Sequence, residues 1–244
     1  MLETTQNDIL YGRLKLLQPL NGPRVNLDTI LLSAWVKIRS GHGRVLEAGC
    51  ASGAISLLLV MKYNNIHVTG IDIQSELVEL ANINAENNNL LDKVKFINGD
   101  LRDKNILPSQ YFDVLVINPP YESLTAGRKS PEHSRTTARL ELTCTPHDVA
   151  EFAYRVLKSR GRLFTIFKSE RLDVFLSAMK NKGIIPKRLR PVYPKMNYNS
   201  DVFLSEFIKD GGEGMNLLPP LFVRDENNNY TQEILKAYEP DGFV

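Results

Sequence analysis

Asp113-Val114-Leu115-Val116-Ile117-Asn118-Pro119-Pro120-Tyr121 reads as a buried parallel strand that two prolines bring to a stop. Neither proline carries an N–H for a sheet ladder, so pairing ends there. In an open α/β sheet the carboxyl edge of the strands is where ligands sit. This strand leaves an amide side chain, backbone carbonyls released from pairing and an aromatic ring at that edge. The set suits a flat ring bearing an exocyclic NH2. The Asn118 side-chain oxygen and the Pro119 carbonyl can each accept one amine hydrogen, and Tyr121 can stack on the ring face. Without a cofactor pocket before them, the same residues read as an Asn-Pro turn with a surface tyrosine.

The chain upstream supplies such a pocket. Residues 44–48 read as a strand that runs into Gly49-Cys50-Ala51-Ser52-Gly53, and a helix follows from Ala54 to about Tyr63. Gly49 and Gly53 let the backbone approach a ligand and let the helix pack on the strand. A second strand, 68–72, ends in Asp72, an acid 23 positions after Gly49. That spacing suits a carboxylate on ribose hydroxyls. A helix over 75–87, a third strand over 94–98 ending in Gly99-Asp100, and the strand 113–118 complete four units in order. Each carries a polar residue at its carboxyl end, which predicts the α/β class with a doubly wound parallel sheet. Asp72 and Asp100 also read as helix N-caps.

The cofactor follows by elimination and fit. The glycine spacing is not G-x-G-x-x-G, and no Gly-Lys-Ser/Thr marks a P-loop. S-adenosylmethionine has no phosphates, tolerates a looser glycine turn and needs an acid for its ribose. Joined to Asn-Pro-Pro-Tyr, that pocket makes amine methylation the coherent chemistry.

On the flanks, residues 9–20 suggest a short hairpin. A helix over 27–38 places Leu27, Ile30, Leu31, Ala34, Trp35 and Ile38 on one face, with Asn26 or Asp28 as its N-cap. After the reaction loop comes a polar stretch of basic residues, including Arg128, Lys129 and Arg135, of the kind that forms a lid or binding surface. A helix over 146–157, a turn over 158–161, a strand over 162–167, a helix over 171–181 and strands near 186–192 and 202–208 follow. Residues 210–244 read as a flexible Gly-rich link and a short arm with an acidic surface.

Composition is that of a globular protein, 43% apolar and 24% charged, with a net charge of only +2. Its distribution says more. Lys/Arg minus Asp/Glu is −3 over residues 44–121 (6 against 9), +9 over 122–196 (16 against 7) and −6 over 197–244 (3 against 9). A basic excess directly after the reaction loop is the footprint of a polyanionic partner. Arg128, Lys129, Arg135, Arg139, Lys168, Arg188, Arg190 and Lys195 are the candidate phosphate contacts. Cys50 and Cys144 stand alone, which argues against a zinc site or disulfide framework and for a reducing compartment. The amino terminus has no basic, apolar leader, and the longest apolar run, 54–61, is too short to span a bilayer. A cytoplasmic protein without metal or membrane is expected.

Glu47-x-Gly49-x-x-x-Gly53, Asp72, Asp100 and Asn118-Pro119-Pro120-Tyr121 resemble the class I S-adenosylmethionine-dependent methyltransferases that act on planar NH2 groups. Three further segments resemble the bacterial tRNA1(Val) adenine N6-methyltransferases: Gly22-x-Arg24-x-x-x-Asp28-x-x-Leu31-Leu32, Ala138-Arg139-x-Glu141-x-Thr143, and Pro219-Pro220-Leu221-Phe222-Val223 running on to Tyr230-Thr231. Together they cover nearly the whole chain. The resemblance implies a Rossmann-like, mostly parallel seven-stranded sheet whose last strand closes it antiparallel. It implies an extension over 1–43, a catalytic domain over 44–210 and an arm over 211–244. It implies S-adenosylmethionine held by Asp28, Glu47, Gly49, Ala51, Gly53, Asp72, Ile73, Asp100, Leu101 and Asn118. Catalysis would rest on Asn118, Pro119, Pro120 and Tyr121, with adenine 37 of tRNA1(Val) as the target. Two departures stand out: Ala51 replaces the middle glycine of the cofactor turn, and Asn26 stands where Ser or Thr is expected.

Other readings stay open at this level. Asn-Pro-Pro-Tyr also serves protein glutamine N5-methylation, although only 44 residues precede the cofactor strand's Val45, leaving little room for a helical substrate domain. An RNA-binding protein of the same fold that has lost catalysis is the alternative from another class.

Overall fold

A computed structural model describes residues 2–9, 12–119 and 145–239. The strands are β1 (Thr4–Ile9), β2 (Leu14–Pro19), β3 (Arg44–Ala48), β4 (His67–Asp72), β5 (Val94–Asn98), β6 (Phe112–Ile117), β7 (Leu157–Lys168), β8 (Ile184–Tyr193), β9 (Val202–Lys209), β10 (Asn216–Leu217) and β11 (Leu221–Phe222). The helices are α1 (Leu27–Trp35), α2 (Ala54–Lys62), α3 (Ser75–Asn87), α4 (Pro146–Val156), α5 (Leu172–Asn181) and α6 (Gln232–Ala237), with a 3-10 turn at Ser169–Arg171.

The main sheet has the order β5-β4-β3-β6-β7-β9-β8, and the two-residue strands β10 and β11 pair with the outer edge of β8. Every pairing is parallel except those of β9, which runs antiparallel to both β7 and β8. The doubly wound sheet with seven main strands is as expected. The antiparallel strand lies inside the sheet rather than at its rim, and two short parallel pairings follow it.

Both faces of the sheet are covered, so β6 is buried at every position and shows no polar alternation. On one face Val45, Val114, Val116 and Phe164 join α1, α2, α3, α6 and the hairpin β1–β2 in a single core. On the other, Leu46, Leu115, Leu163 and Phe167 meet Val149, Phe152, Phe175 and Met179 of α4 and α5. The period of two along each strand sorts these residues between the layers.

Local differences from the sequence reading have physical causes. The helix expected over 27–38 ends at Trp35, because Val36 turns to extended backbone after its N–H reaches Leu32 O. Its N-cap is Asn26, whose side chain accepts from Thr29 N at 3.1 Å in a capping box. The turn expected over 158–161 falls as an irregularity within the span of β7. Pairing jumps from Phe112↔Leu157 to Val114↔Arg162, and Arg160 takes φ +65. The carboxyl-terminal segment is docked rather than loose. Leu221, Ile234 and Ala237 are buried in the first core, and Lys187 Nζ donates to the Glu213 and Gly214 carbonyls at 3.1 and 3.2 Å.

β7, β8 and β9 are also joined through charge. Glu206, 2% exposed, accepts from Arg162 on one oxygen and from Arg188 on the other at 3.1 Å. The Arg188 guanidinium lies 4.2 Å from the Trp35 ring centroid, and Trp35 Nε1 donates to Ser205 O at 3.1 Å. Removing the carboxylate leaves the buried Arg162 and the partly exposed Arg188 without their described ion-pair partner. Glu206→Ala is expected to lower the unfolding free energy by about 3–5 kcal/mol, read from urea denaturation.

Candidate active site

The strand order reverses between β3 and β6, and the crevice above that point gathers most of the expected site residues. Ala48 pairs with Ile117, so Gly49 and Asn118 leave the sheet side by side. β4 delivers Asp72 and Ile73 next to them, and β5 delivers Asp100 and Leu101 beyond. Asn118 is half-buried and Pro119 buried. Asp28 lies on the first turn of α1.

Three of the five residues between β3 and α2 are left-handed, Gly49 (φ +70), Ala51 (φ +45) and Gly53 (φ +82). The two glycines do different jobs. A Cβ on Gly49 would meet nothing within 4 Å, so that backbone faces open space. A Cβ on Gly53 would meet Phe96 Cζ at 2.7 Å and Ala81 Cβ at 3.1 Å, so this glycine lets α2 settle on the sheet. Ala51 holds its left-handed backbone without glycine's freedom, because its N–H donates to Asp72 Oδ2 at 2.8 Å. Gly49 and Cys50 add donors to Ile71 O at 2.8 and 3.1 Å.

Asp72 therefore organises the crevice as well as facing it. Its other oxygen accepts from Gln74 N at 2.9 Å, and burial pushes its carboxyl up against these backbone bonds. Asn98 Nδ2 donates to the carbonyls of Asp72 and Ile73, both at 3.0 Å, tying the ends of β4 and β5 together. Ile73 is left 44% exposed beside this acid, an apolar face suited to a flat ring. Asp100 is gripped by Arg102 through Nε at 3.0 Å and Nη2 at 2.5 Å, which holds its carboxyl below the usual range. Leu101 offers its carbonyl to Arg155 Nη2 at 2.9 Å.

Glu47 works from beneath. Its Oε2 accepts from Ser56 N at 2.8 Å and from the Ser56 hydroxyl, so it caps the start of α2 from inside the core. Burial pushes its carboxyl up to about 8.

The sequence reading missed Asn84 and Arg155. Asn84 on α3 is fully buried, accepts from Leu17 N at 2.7 Å and donates to Leu17 O at 2.9 Å and Ser52 O at 3.0 Å. It thereby pins the amino-terminal hairpin to the cofactor turn. An asparagine falling in the buried stripe of α3, beside Leu77, Leu80 and Ala81, is the signal that marks it. Arg155 laces the loop after β5 through the carbonyls of Leu101 and Asp103 at 2.9 and 3.2 Å.

Of the basic set, Lys168 pairs with Asp201 at 3.0 Å and Lys195 donates to Glu226 O at 2.8 Å. Arg188 is engaged with Glu206, and Arg190 with Glu233 at 2.7 Å and Pro219 O at 3.0 Å. These two arginines hold the fold and the carboxyl-terminal segment together. Pro120, Tyr121, Arg128, Lys129, Arg135 and Arg139 lie outside the described residues. Among the described residues no cluster of three or more His, Cys, Asp or Glu could hold a metal ion, and no helix is long and apolar enough to cross a membrane.

Two measurements probe this construction. The Glu47 carboxyl titrates at about 8 in the folded chain against 4.5 ordinarily, so folding retains a proton between those values. Its contribution to stability is complete below pH 4.5 and is lost as pH rises through about 8. Glu47→Gln, which mimics the protonated acid, should flatten that decline, a few kcal/mol at most, in urea unfolding from about pH 5 to about pH 8.5. Asn84→Ala leaves the part-buried backbone of Leu17 and the buried Ser52 carbonyl without this partner. It should cost about 2–4 kcal/mol in stability and weaken cofactor binding severalfold by calorimetry.

The chain matches the family model described as a methyltransferase domain over residues 39–183. It is 28% identical over 227 residues to the tRNA1(Val) (adenine(37)-N6)-methyltransferase of Porphyromonas gingivalis, covering 89% of this chain and 88% of that one. It is 32% identical over 161 residues to the enzyme of the same name from Pedobacter heparinus, covering 66% and 67%. In fold it resembles the crystal structure of a predicted O-methyltransferase from Agrobacterium tumefaciens (TM-score 0.71, 16% identity, 89% and 98% of the two chains). It also resembles a geranyl diphosphate methyltransferase solved in complex with SAM (TM-score 0.53, 14% identity, 73% and 82%). By that family match and by these relatives the chain belongs to the methyltransferase-domain family, among the tRNA1(Val) (adenine(37)-N6)-methyltransferases.

Proposed function

We propose that the chain is an S-adenosylmethionine-dependent methyltransferase that methylates the exocyclic N6 amine of an adenine in tRNA, adenine 37 of tRNA1(Val). The observation that carries this reading is the exit of Asn118-Pro119 from β6 directly beside Gly49, at the point where strand order reverses. The names of the curated relatives support adenine in tRNA over a protein glutamine as substrate. A tRNA substrate in turn implies the cytoplasm, which suits a chain whose Cys50 is a buried free thiol.

Open space over Gly49, the Asp72 carboxylate and the exposed face of Ile73 fit an adenosyl group. Gly49, Ala51 and Gly53 shape its floor, Asp72 would hold the ribose, and Ile73 with the Asp100–Leu101 segment would flank the adenine ring. When bound, the cofactor supplies an electrophilic methyl on a sulfonium. Glu47 acts as a positioning residue for the turn, and Asp28 completes the proposed set from α1.

The chain's own part in the reaction is orientation. An adenine amine is a weak nucleophile because its lone pair is delocalised into the ring. Asn118 Oδ1 and the Pro119 carbonyl, each accepting one amine hydrogen, would favour a pyramidal nitrogen and aim its lone pair. Both acceptors stand on the end of a fully buried strand, so they need no reorganisation during the reaction. No strong general base is needed, since the proton released can pass to water. Tyr121 would stack on the extruded base. Lys168, Lys195 and the basic residues that follow the reaction loop are the proposed phosphate contacts.

Asn118→Ala should lose about 100-fold or more in single-turnover methyl transfer, at saturating S-adenosylmethionine, to tRNA from cells lacking the enzyme. A mutant turning over at close to the wild-type rate would reject the role given to Asn118.

A further inference from the structure

β8 runs parallel to β7, so the connection from β8 to β9, residues 194–201, emerges at the same sheet edge as Asn118. Its base is firmly anchored. Ser169 and Ser200 share a hydroxyl hydrogen bond of 2.7 Å, Ser169 N donates to Asp201 O at 3.1 Å, and Asp201 N donates to Val192 O at 3.0 Å. Lys168 meets the Asp201 carboxylate at 3.0 Å. At the tip, Tyr198 N donates to Lys195 O at 3.3 Å and Asn197 adopts φ +68, a left-handed conformation.

That fixed turn points apolar surface outward. Tyr198 is 63% exposed, the most exposed aromatic ring among the described residues, and Met196 is 54% exposed. The elements beside it carry both signs of charge, Asp201 being paired with Lys168. Lys195 binds only a neutral acceptor in the Glu226 carbonyl as its described contact, and Arg171 lies at the end of the 3-10 turn that follows β7. Two or three strand spacings separate this turn from β6, roughly 10–14 Å at about 4.8 Å each. That separation suits a nucleotide flanking the one held at Asn118.

We propose that the 194–201 turn is a stacking platform for an unpaired nucleotide beside the target adenine, with Tyr198 under the base, Met196 against its edge and Lys195 near its phosphate. A ring on a rigid turn loses little freedom on stacking, and every base offers a π-face, so the contact adds affinity for single-stranded RNA without reading its sequence. A protein surface would need a broader apolar patch than two exposed side chains. The inference rests on the proposed reaction on tRNA, because the platform has no use without a substrate that crosses this edge.

The test compares Tyr198→Ala, Tyr198→Phe and, as a control at the opposite sheet edge, Tyr111→Ala. Each is measured for tRNA binding, for KM toward tRNA and for cofactor affinity, with thermal unfolding to confirm the fold. Tyr198→Ala should weaken tRNA binding and raise KM about tenfold at unchanged cofactor affinity. Tyr198→Phe and Tyr111→Ala should match wild type. Wild-type methylation of tRNA with a Tyr198→Ala KM within about twofold of wild type would overturn the platform alone. Absence of transfer to tRNA by the wild-type protein would overturn the proposed reaction, and the platform with it.

Discussion

Beside β3 the order of strands reverses, and the crevice, the turn and the reacting edge all follow from that. From β3 the chain goes outward through α2 to β4 and α3 to β5, then returns to place β6 on the other side of β3. The connecting helices cover opposite faces of the sheet, α2 and α3 on one and α4 and α5 on the other. Diverging connections open a crevice at the carboxyl ends of such neighbouring strands. Two adjacent strands buried on both faces then act as rigid mounts for Gly49 and Asn118, the positions that the proposed transfer would hold in register.

Keeping that mount in place requires polar groups inside the protein. Asp72 satisfies Ala51 N and Gln74 N, and Glu47 satisfies the first turn of α2. Each acid is desolvated, and its cost is offset by backbone donors rather than by a cation. Asn84 extends the same arrangement to the amino-terminal hairpin, so the extension is coupled to the cofactor turn by hydrogen bonds as well as by apolar packing. Cations fill a separate role in the other half of the sheet, where Arg162, Glu206 and Arg188 join β7, β8 and β9 beneath Trp35.

Much of this was legible in the sequence because the relevant signals are local. The glycine turn, the strand-end acids and the proline stop each lie within a few residues of the element they punctuate, and β3, β5 and α3 fall at the expected positions. Signals that depend on distant partners were not legible. Arg188 and Arg190 look like surface cations until Glu206 and Glu233 are brought to them by the fold. Ile38 continues the apolar spacing of α1 after its backbone has left the helix, because it packs on the core from extended chain. The docking of residues 216–237 depends on Leu221 and Ile234 finding a core made by earlier elements, which a Gly-rich, acidic composition conceals. Asn84 carried a local clue, a polar residue in an apolar stripe, whose partners only the fold supplies.

The central claim is that the methyl donor and the amine acceptors meet over the junction of β3 and β6. A crystal structure with S-adenosylhomocysteine bound tests it most directly. The ribose is expected at Asp72, the adenine against Ile73, and the sulfur above Gly49 facing the Asn118 amide. A ligand seated elsewhere, or one whose sulfur points away from Asn118, would contradict the account.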